Sequence, residues 1–163
     1  MIARAAAALL AIAAFDCAAE GATFTVKSIT PEAAAKATKA ALDKCRGEGF
    51  QVSVAVVDRS GVTVSLLRDR YASPGSVEIA QRKAQTSVNF KMDTAALDRE
   101  LQPGRPTAGI RTQPNVTAIA GGAIIESGGA LVGAIGVSGA PGPMNDDLCA
   151  HAGLKAIAED LEF

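Results

Sequence analysis

Along the chain the apolar positions keep two different rhythms. Ala34, Ala37, Ala41 and Cys45 recur at the three-to-four-residue spacing of one helix face, predicting a helix from Thr30 to about Arg46. Thr30-Pro31-Glu32 opens it with a capping hydroxyl, a proline tolerated at the first helical position and an acid near the positive dipole end. Gly47 and Gly49 close it, and its stripe of small side chains lets a neighbour lie close. The rhythm then changes to that of strands. Gln51 to Val57 and Val62 to Leu67 are β-branched, apolar runs around the turn Asp58-Arg59-Ser60-Gly61, which together read as a hairpin. Val52, Val54 and Val56 point one way and Ser53, Ala55 and Val57 the other, so neither face is polar. Both are expected to be covered, by helices or by another subunit.

Ser76 is placed to cap a helix from Val77 to about Phe90, and Asp93 or Thr94 starts a short helix to Leu101. Gln102 to Asn115 holds three prolines and reads as loop. Val116 to Ala120, Ala123 to Glu126 and Ala130 to Ser138 are three strand segments divided by Gly121-Gly122 and Gly128-Gly129. Asn145 and Asp146 are expected to cap a last helix, Asp147 to Leu161, packing Leu148, Ala152, Ile157 and Leu161 on the sheet. The fold class is α/β, a five-stranded, mainly antiparallel sheet flanked by helices in the order αββααβββα.

The N-terminus follows neither rhythm. Arg4 precedes the uninterrupted apolar run Ala5 to Phe15, the length of a signal-peptide core and too short to cross a bilayer. Cleavage after Ala19 makes residues 1–19 a signal peptide, 20–28 an N-terminal extension and 29–163 one domain, periplasmic or secreted and without a transmembrane segment. An Ala-rich amphipathic helix and lipid attachment at Cys17 are the other readings of the same residues. Beyond the leader, Cys45 and Cys149 remain. Either they form a bridge closing a loop of about a hundred residues, worth roughly 4 to 5 kcal/mol in the chain-entropy view, or they are two buried thiols.

Charge and composition remove whole classes of function. With 16 Lys+Arg against 17 Asp+Glu, a net charge of -1 and one Tyr, the chain has no phosphate-tracking groove or base-stacking platform, so no nucleic-acid partner is expected. One His and no G-x-S-x-G leave a serine-hydrolase triad without its parts, and zinc lacks a Cys/His spacing. His151, the single histidine, is the first residue to consider as an iron ligand. It lies two positions past Cys149 and so on another helix face, where it also reads as a surface side chain. Arg82 and Lys83 sit mid-helix, either solvated or paired with a ligand carboxylate. Gly121-Gly122 reads as an anion-binding nest or as a corner. Gly133, Gly136 and Gly139 lie in or beside a strand and admit a close neighbour, and Asp146-Asp147 reads as helix capping.

Five segments in order carry a resemblance. They are Val54-Ala55-Val56-Val57-Asp58-Arg59-Ser60-Gly61, Ile79-Ala80-Gln81-Arg82-Lys83-Ala84-Gln85-Thr86, Gly121-Gly122-Ala123-Ile124-Ile125, Gly133-Ala134-Ile135-Gly136-Val137-Ser138-Gly139 and Asp146-Asp147-Leu148-Cys149-Ala150-His151-Ala152-Gly153. Over about Ile29 to Ile157 the chain resembles the GlcG/HbpS-like family of haem-binding proteins. The resemblance implies an α/β sandwich around a five-stranded antiparallel sheet, assembly into homo-oligomers and, in some members, haem or another tetrapyrrole bound between subunits. It points to Lys83, Arg82, Thr86, Gly121, Gly122, Tyr71 and His151 as ligand-binding residues, with Lys83 in the part of the motif that the family keeps. The iron ligand stays unassigned; Tyr71, Met92 and Met144 have suitable atoms beside His151. The function expected is that of an exported binding protein for haem or a related ligand. The alternatives are an enzyme acting on a small carbonyl or carboxylate metabolite, with Lys83 as cation or base, and an accessory protein of a membrane sensor.

Overall fold

A computed structural model describes residues 21–162; the expected leader at 1–19 lies outside the described residues. Helix α1 spans Pro31–Gly47, and the Thr30 hydroxyl accepts from the Ala33 N–H at 3.2 Å, the cap read from the sequence. Strands β1 (Ser53–Asp58) and β2 (Thr63–Arg68) form the hairpin. Its turn is tied by the Asp58 carboxylate, which accepts from the N–H groups of Ser60 and Val62, while Gly61 takes φ 81°. Helix α2 spans Pro74–Phe90 and α3 spans Thr94–Glu100, followed by a long loop with one 3-10 turn, Ala108–Thr112. Strands β3 (Gly122–Ser127) and β4 (Ala130–Ser138) lead to α4, Pro143–Ala156.

The sheet has four strands in the order β2-β1-β4-β3, every neighbouring pair antiparallel. Helices α1 and α4 cover one face over Val54, Val56, Ile135 and Val137. Helix α2 covers the other, where Ala84 and Val88 meet Val57 and Ala134. The first strand is buried on both sides because helices stand on both sides. Close approach is set by glycine: a Cβ on Gly136 would come within 2.0 Å of the Ala80 carbonyl oxygen, so α2 sits directly on the β4 backbone.

Three expectations are corrected. The segment Val116 to Ala120 is not a strand, so the sheet has four strands rather than five and the order is αββααββα. Its alternation is real, with Ala118 and Ala120 buried and Ile119 exposed, but Ala118 packs on Leu97 and Leu101 beside α3. The Thr117 N–H is spent on the Thr86 hydroxyl instead of a ladder. Helix α2 begins at Pro74 with Ser73 before it, and the Ser76 hydroxyl is buried against Ser53 at 2.8 Å rather than capping. Helix α4 likewise starts early, at Pro143 after Gly142, and ends at Ala156 rather than Leu161; Leu148 faces outward (61% exposed), while Cys149, Ala150 and Gly153 face inward.

The inward face of α4 meets α1 through small groups. A Cβ on Gly153 would stand 2.8 Å from the Ala37 carbonyl oxygen. Cys149 is bridged to Cys45, both fully buried, with Cα atoms 5.6 Å apart across a sequence separation of 104. Of the two readings left open for these cysteines, the structure takes the disulfide.

Candidate functional site

The chemistry converges where β4 ends, β3 begins and α4 starts. Lys83 leaves the middle of α2 and runs inward; only 2% of it is exposed, and its amine donates to the Val137 carbonyl at 2.9 Å and the Asp146 carboxylate at 2.8 Å. Asp146 sits in the first turn of α4, where its second carboxylate oxygen accepts from the Ala140 N–H. The pair therefore joins α2 to α4 around the end of the sheet. Burial pushes the Lys83 ammonium below the usual lysine range, opposed by the Asp146 charge. Burial also pushes the Asp146 carboxyl upward, opposed by Lys83. In each group the partner's charge opposes the shift that burial causes.

Gly121 lies over this pair with φ 115°, and a Cβ there would be 2.8 Å from the lysine nitrogen and 2.7 Å from the Asp146 Cβ. Its N–H donates to Asp147, and that of Gly122 to the Thr94 hydroxyl at 2.8 Å. Both amides are bonded within the fold, which makes Gly121-Gly122 a tight corner rather than a nest for an anion. Thr86 is buried and holds the Val116 to Ala120 segment through the Thr117 N–H. Arg82 lies on the outer side of α2, donating to Glu78 and to the Pro114 carbonyl. Tyr71 stands 80% exposed on the loop after β2. His151 is half-exposed on α4, 3.5 Å from Asp147 and 3.7 Å from Asp93. Thus Lys83, Gly121 and Gly122 come together, Thr86 anchors the segment leading into that corner, His151 reaches it through Asp147, and Arg82 and Tyr71 stand apart.

Asp146 had been read as a cap, and its pairing is spread over 63 positions, beyond any local pattern. Two adjoining grooves flank it. One, of about 310 Å³, is lined by Ile79, Lys83, Ile119, Gly139, Pro143 and Asp146 among others. The second, of about 410 Å³, is lined by Ala95, Arg99, Ile119, Ala120, Pro143 and Met144 with Asp98. Ile119 and Pro143 form the ridge they share. Ile79, Ile119 and Met144, which line them, are all exposed, so an apolar strip runs over both grooves, and Leu148 is exposed one helical turn from Met144. Arg99 stands at its rim, exposed and with no recorded ion-pair partner among the described residues. Neither Ile119 nor Arg99 carries a sequence signal: the first falls in the expected strand Val116 to Ala120, the second in the expected short helix to Leu101.

Known proteins are similar to this chain over most of its length. A family model described as haem degrading protein HbpS-like matches residues 29–155. Among solved structures, a double mutant of HbpS from Streptomyces reticuli superposes with TM-score 0.79 at 38% identity, covering 89% of this chain and 98% of that one. A complex of PduOC with haem superposes with TM-score 0.76 at 29% identity, covering 80% and 95%. The corrinoid adenosyltransferase PduO of Salmonella typhimurium is 31% identical over 122 residues, 74% of this chain, and the chain matches 36% of that longer protein. A match of this extent, with the same α/β layers, makes the chain a member of the HbpS-like family.

Proposed function

We propose that this chain is an exported protein that binds haem or a related tetrapyrrole against the strip formed by Ile79, Ile119, Pro143 and Met144, with a second copy of the chain closing the site. The observation that carries the reading is the pair of grooves meeting at the apolar ridge of Ile119 and Pro143, one of them edged by Arg99, a cation without an ion-pair partner among the described residues. A planar macrocycle needs apolar area for its faces and cations for its propionates. The residues present fit that demand through Arg99, whereas Arg82 is paired with Glu78 and the charge of Lys83 is already committed to Asp146. Breaking such a buried pair to hold a propionate would cost about 3 kcal/mol or more. Lys83 accordingly lines the wall, while Gly121, Gly122 and Thr86 hold the backbone beside it. Of Tyr71, Met92, Met144 and His151, Met144 is the one lining a groove. Haem bound there would supply its iron, with a thioether ligand drawn from Met144.

The single-chain grooves are open, and exposed apolar strips of this kind are the usual mark of a protein partner. A second subunit stacked on the strip would cover the remaining face of the ligand. The buried disulfide supports export, because bridges of this kind persist in oxidising compartments.

The test is haemin titration of the purified mature protein. A saturable Soret shift is expected, with Arg99→Ala weakening affinity about tenfold and Ile119→Asp abolishing both the shift and the assembly of subunits. No Soret change with wild-type apoprotein overturns the reading.

A further inference from the structure

The Lys83–Asp146 pair does more than join two helices. Most buried ion pairs are sealed under side chains. This one is roofed by the backbone of Gly121, close enough that a Cβ there would stand 2.8 Å from the amine, and the groove beside it is bordered by the small residues Gly139, Ala140 and Gly142. Ile79, Ile119 and Pro143 wall the approach, leaving a groove of about 310 Å³ with a lysine amine and a carboxyl at its inner end. That composition is selective. Because the two charges cancel and Asp147 adds a further negative one beside them, the floor repels an anionic ligand. It suits a small, uncharged molecule with an electrophilic carbon.

We propose that Lys83 forms an imine with a small neutral aldehyde or ketone entering this groove, Asp146 serving as its proton acceptor and donor. The steps balance. The Lys83 ammonium passes one proton to the Asp146 carboxylate, and the neutral amine adds its lone pair to the carbonyl carbon. A nitrogen-bound proton moves to the carbonyl oxygen, giving a carbinolamine. Asp146 then returns its proton to that hydroxyl as the C–O bond breaks; water leaves, and the protonated imine stays paired with the Asp146 carboxylate. Only water is released, and the pair carries the same charge before and after. The directions in which burial moves the two groups favour the first step, since each lowers the barrier to the neutral pair. Nothing in the chemistry requires haem; the groove is one of the two assigned above to the tetrapyrrole, so the test is run on haem-free protein.

Competitive labelling of the folded, haem-free protein tests it. Butanal and cyanoborohydride at pH 7 trap imines as stable secondary amines, located by peptide mass mapping. An ordinary lysine is almost wholly protonated at this pH and reacts slowly. Among the seven lysines (Lys27, Lys36, Lys39, Lys44, Lys83, Lys91 and Lys155) the buried Lys83 is expected to label fastest, and to lose that lead in guanidinium. Burial alone would make it the slowest. Any other lysine labelling fastest in the folded protein overturns the proposal. Ile119→Trp narrows the groove at an exposed position without touching the pair, and is expected to slow Lys83 at least about threefold while Lys36 and Lys155 keep their rates. An unchanged Lys83 rate in that variant would show that the groove is not the route, and would overturn the proposal equally.

Discussion

Asp69 shows how one side chain can carry a pH dependence for the whole fold. Its carboxylate is buried at the end of β2, where it accepts from Arg46 Nε at 2.7 Å and from the Arg70 N–H, tying the last turn of α1 to the hairpin. The Arg46 hydrogen bond holds this carboxyl below the usual aspartate range. The folded state therefore binds the proton less readily than the unfolded chain. The stabilisation is complete above the unfolded value near 4 and fades as pH falls toward the lower folded value. Asp69→Asn is expected to lower the unfolding midpoint in urea at pH 7 while making little difference near pH 2, measured by circular dichroism at both. The Lys83–Asp146 pair behaves differently because both ends are buried. Asp146→Ala strands a buried cation and is expected to cost about 3 kcal/mol or more, while adding Lys83→Met to it recovers a large part; urea titrations of both variants give the comparison. Lys83 was legible in the sequence as a cation in a motif helix. Its burial was not, since a lysine with apolar stem and distant partner looks the same in a helical pattern as one in water.

At the scale of elements, contacts between backbones decide the packing. Gly136 lets α2 rest on β4, and Gly136→Ala would press a methyl group into the Ala80 carbonyl. A loss of at least about 3 kcal/mol is expected, read as a shift in the denaturant midpoint at constant m-value. The role of this glycine was legible because it interrupts an otherwise apolar strand. Helix α1 was equally legible, since Thr30, Pro31 and the alanine stripe act through neighbours a turn away. The fifth strand went wrong because alternation records which side chains are buried and not what buries them. Val116 to Ala120 alternates against α3 as it would against a sheet, and the Thr86 hydroxyl that takes its N–H is 31 positions away. Helix starts shifted for a related reason. Ser73-Pro74 and Gly142-Pro143 outcompete Ser76 and Asp146 because proline at the first position fixes the helical backbone, leaving the later polar groups free for tertiary bonds.

For the molecule as a whole, the Cys45–Cys149 bridge removes far-reaching freedom from the unfolded chain. With 104 positions between the two cysteines, its loss is expected to cost roughly 4 to 5 kcal/mol in the chain-entropy model. The paired Cys45→Ala and Cys149→Ala variant should melt well below the oxidised protein, and dithiothreitol should reproduce that shift only where the protein first unfolds, since both sulfurs are buried. Scanning calorimetry with and without reductant distinguishes these outcomes. The two cysteines lie in helices whose facing could not be derived from spacing, so the sequence left bridge and thiols as equals.

Entry to and exit from this domain lie side by side. Lys36, one turn into α1, pairs with Asp160 just beyond α4, and the residues from Val26 to Ala33 share a cavity with Asp160 and Leu161. A unit with adjacent ends behaves as a cassette: it can be spliced into a host chain at a single surface loop without prising that host apart.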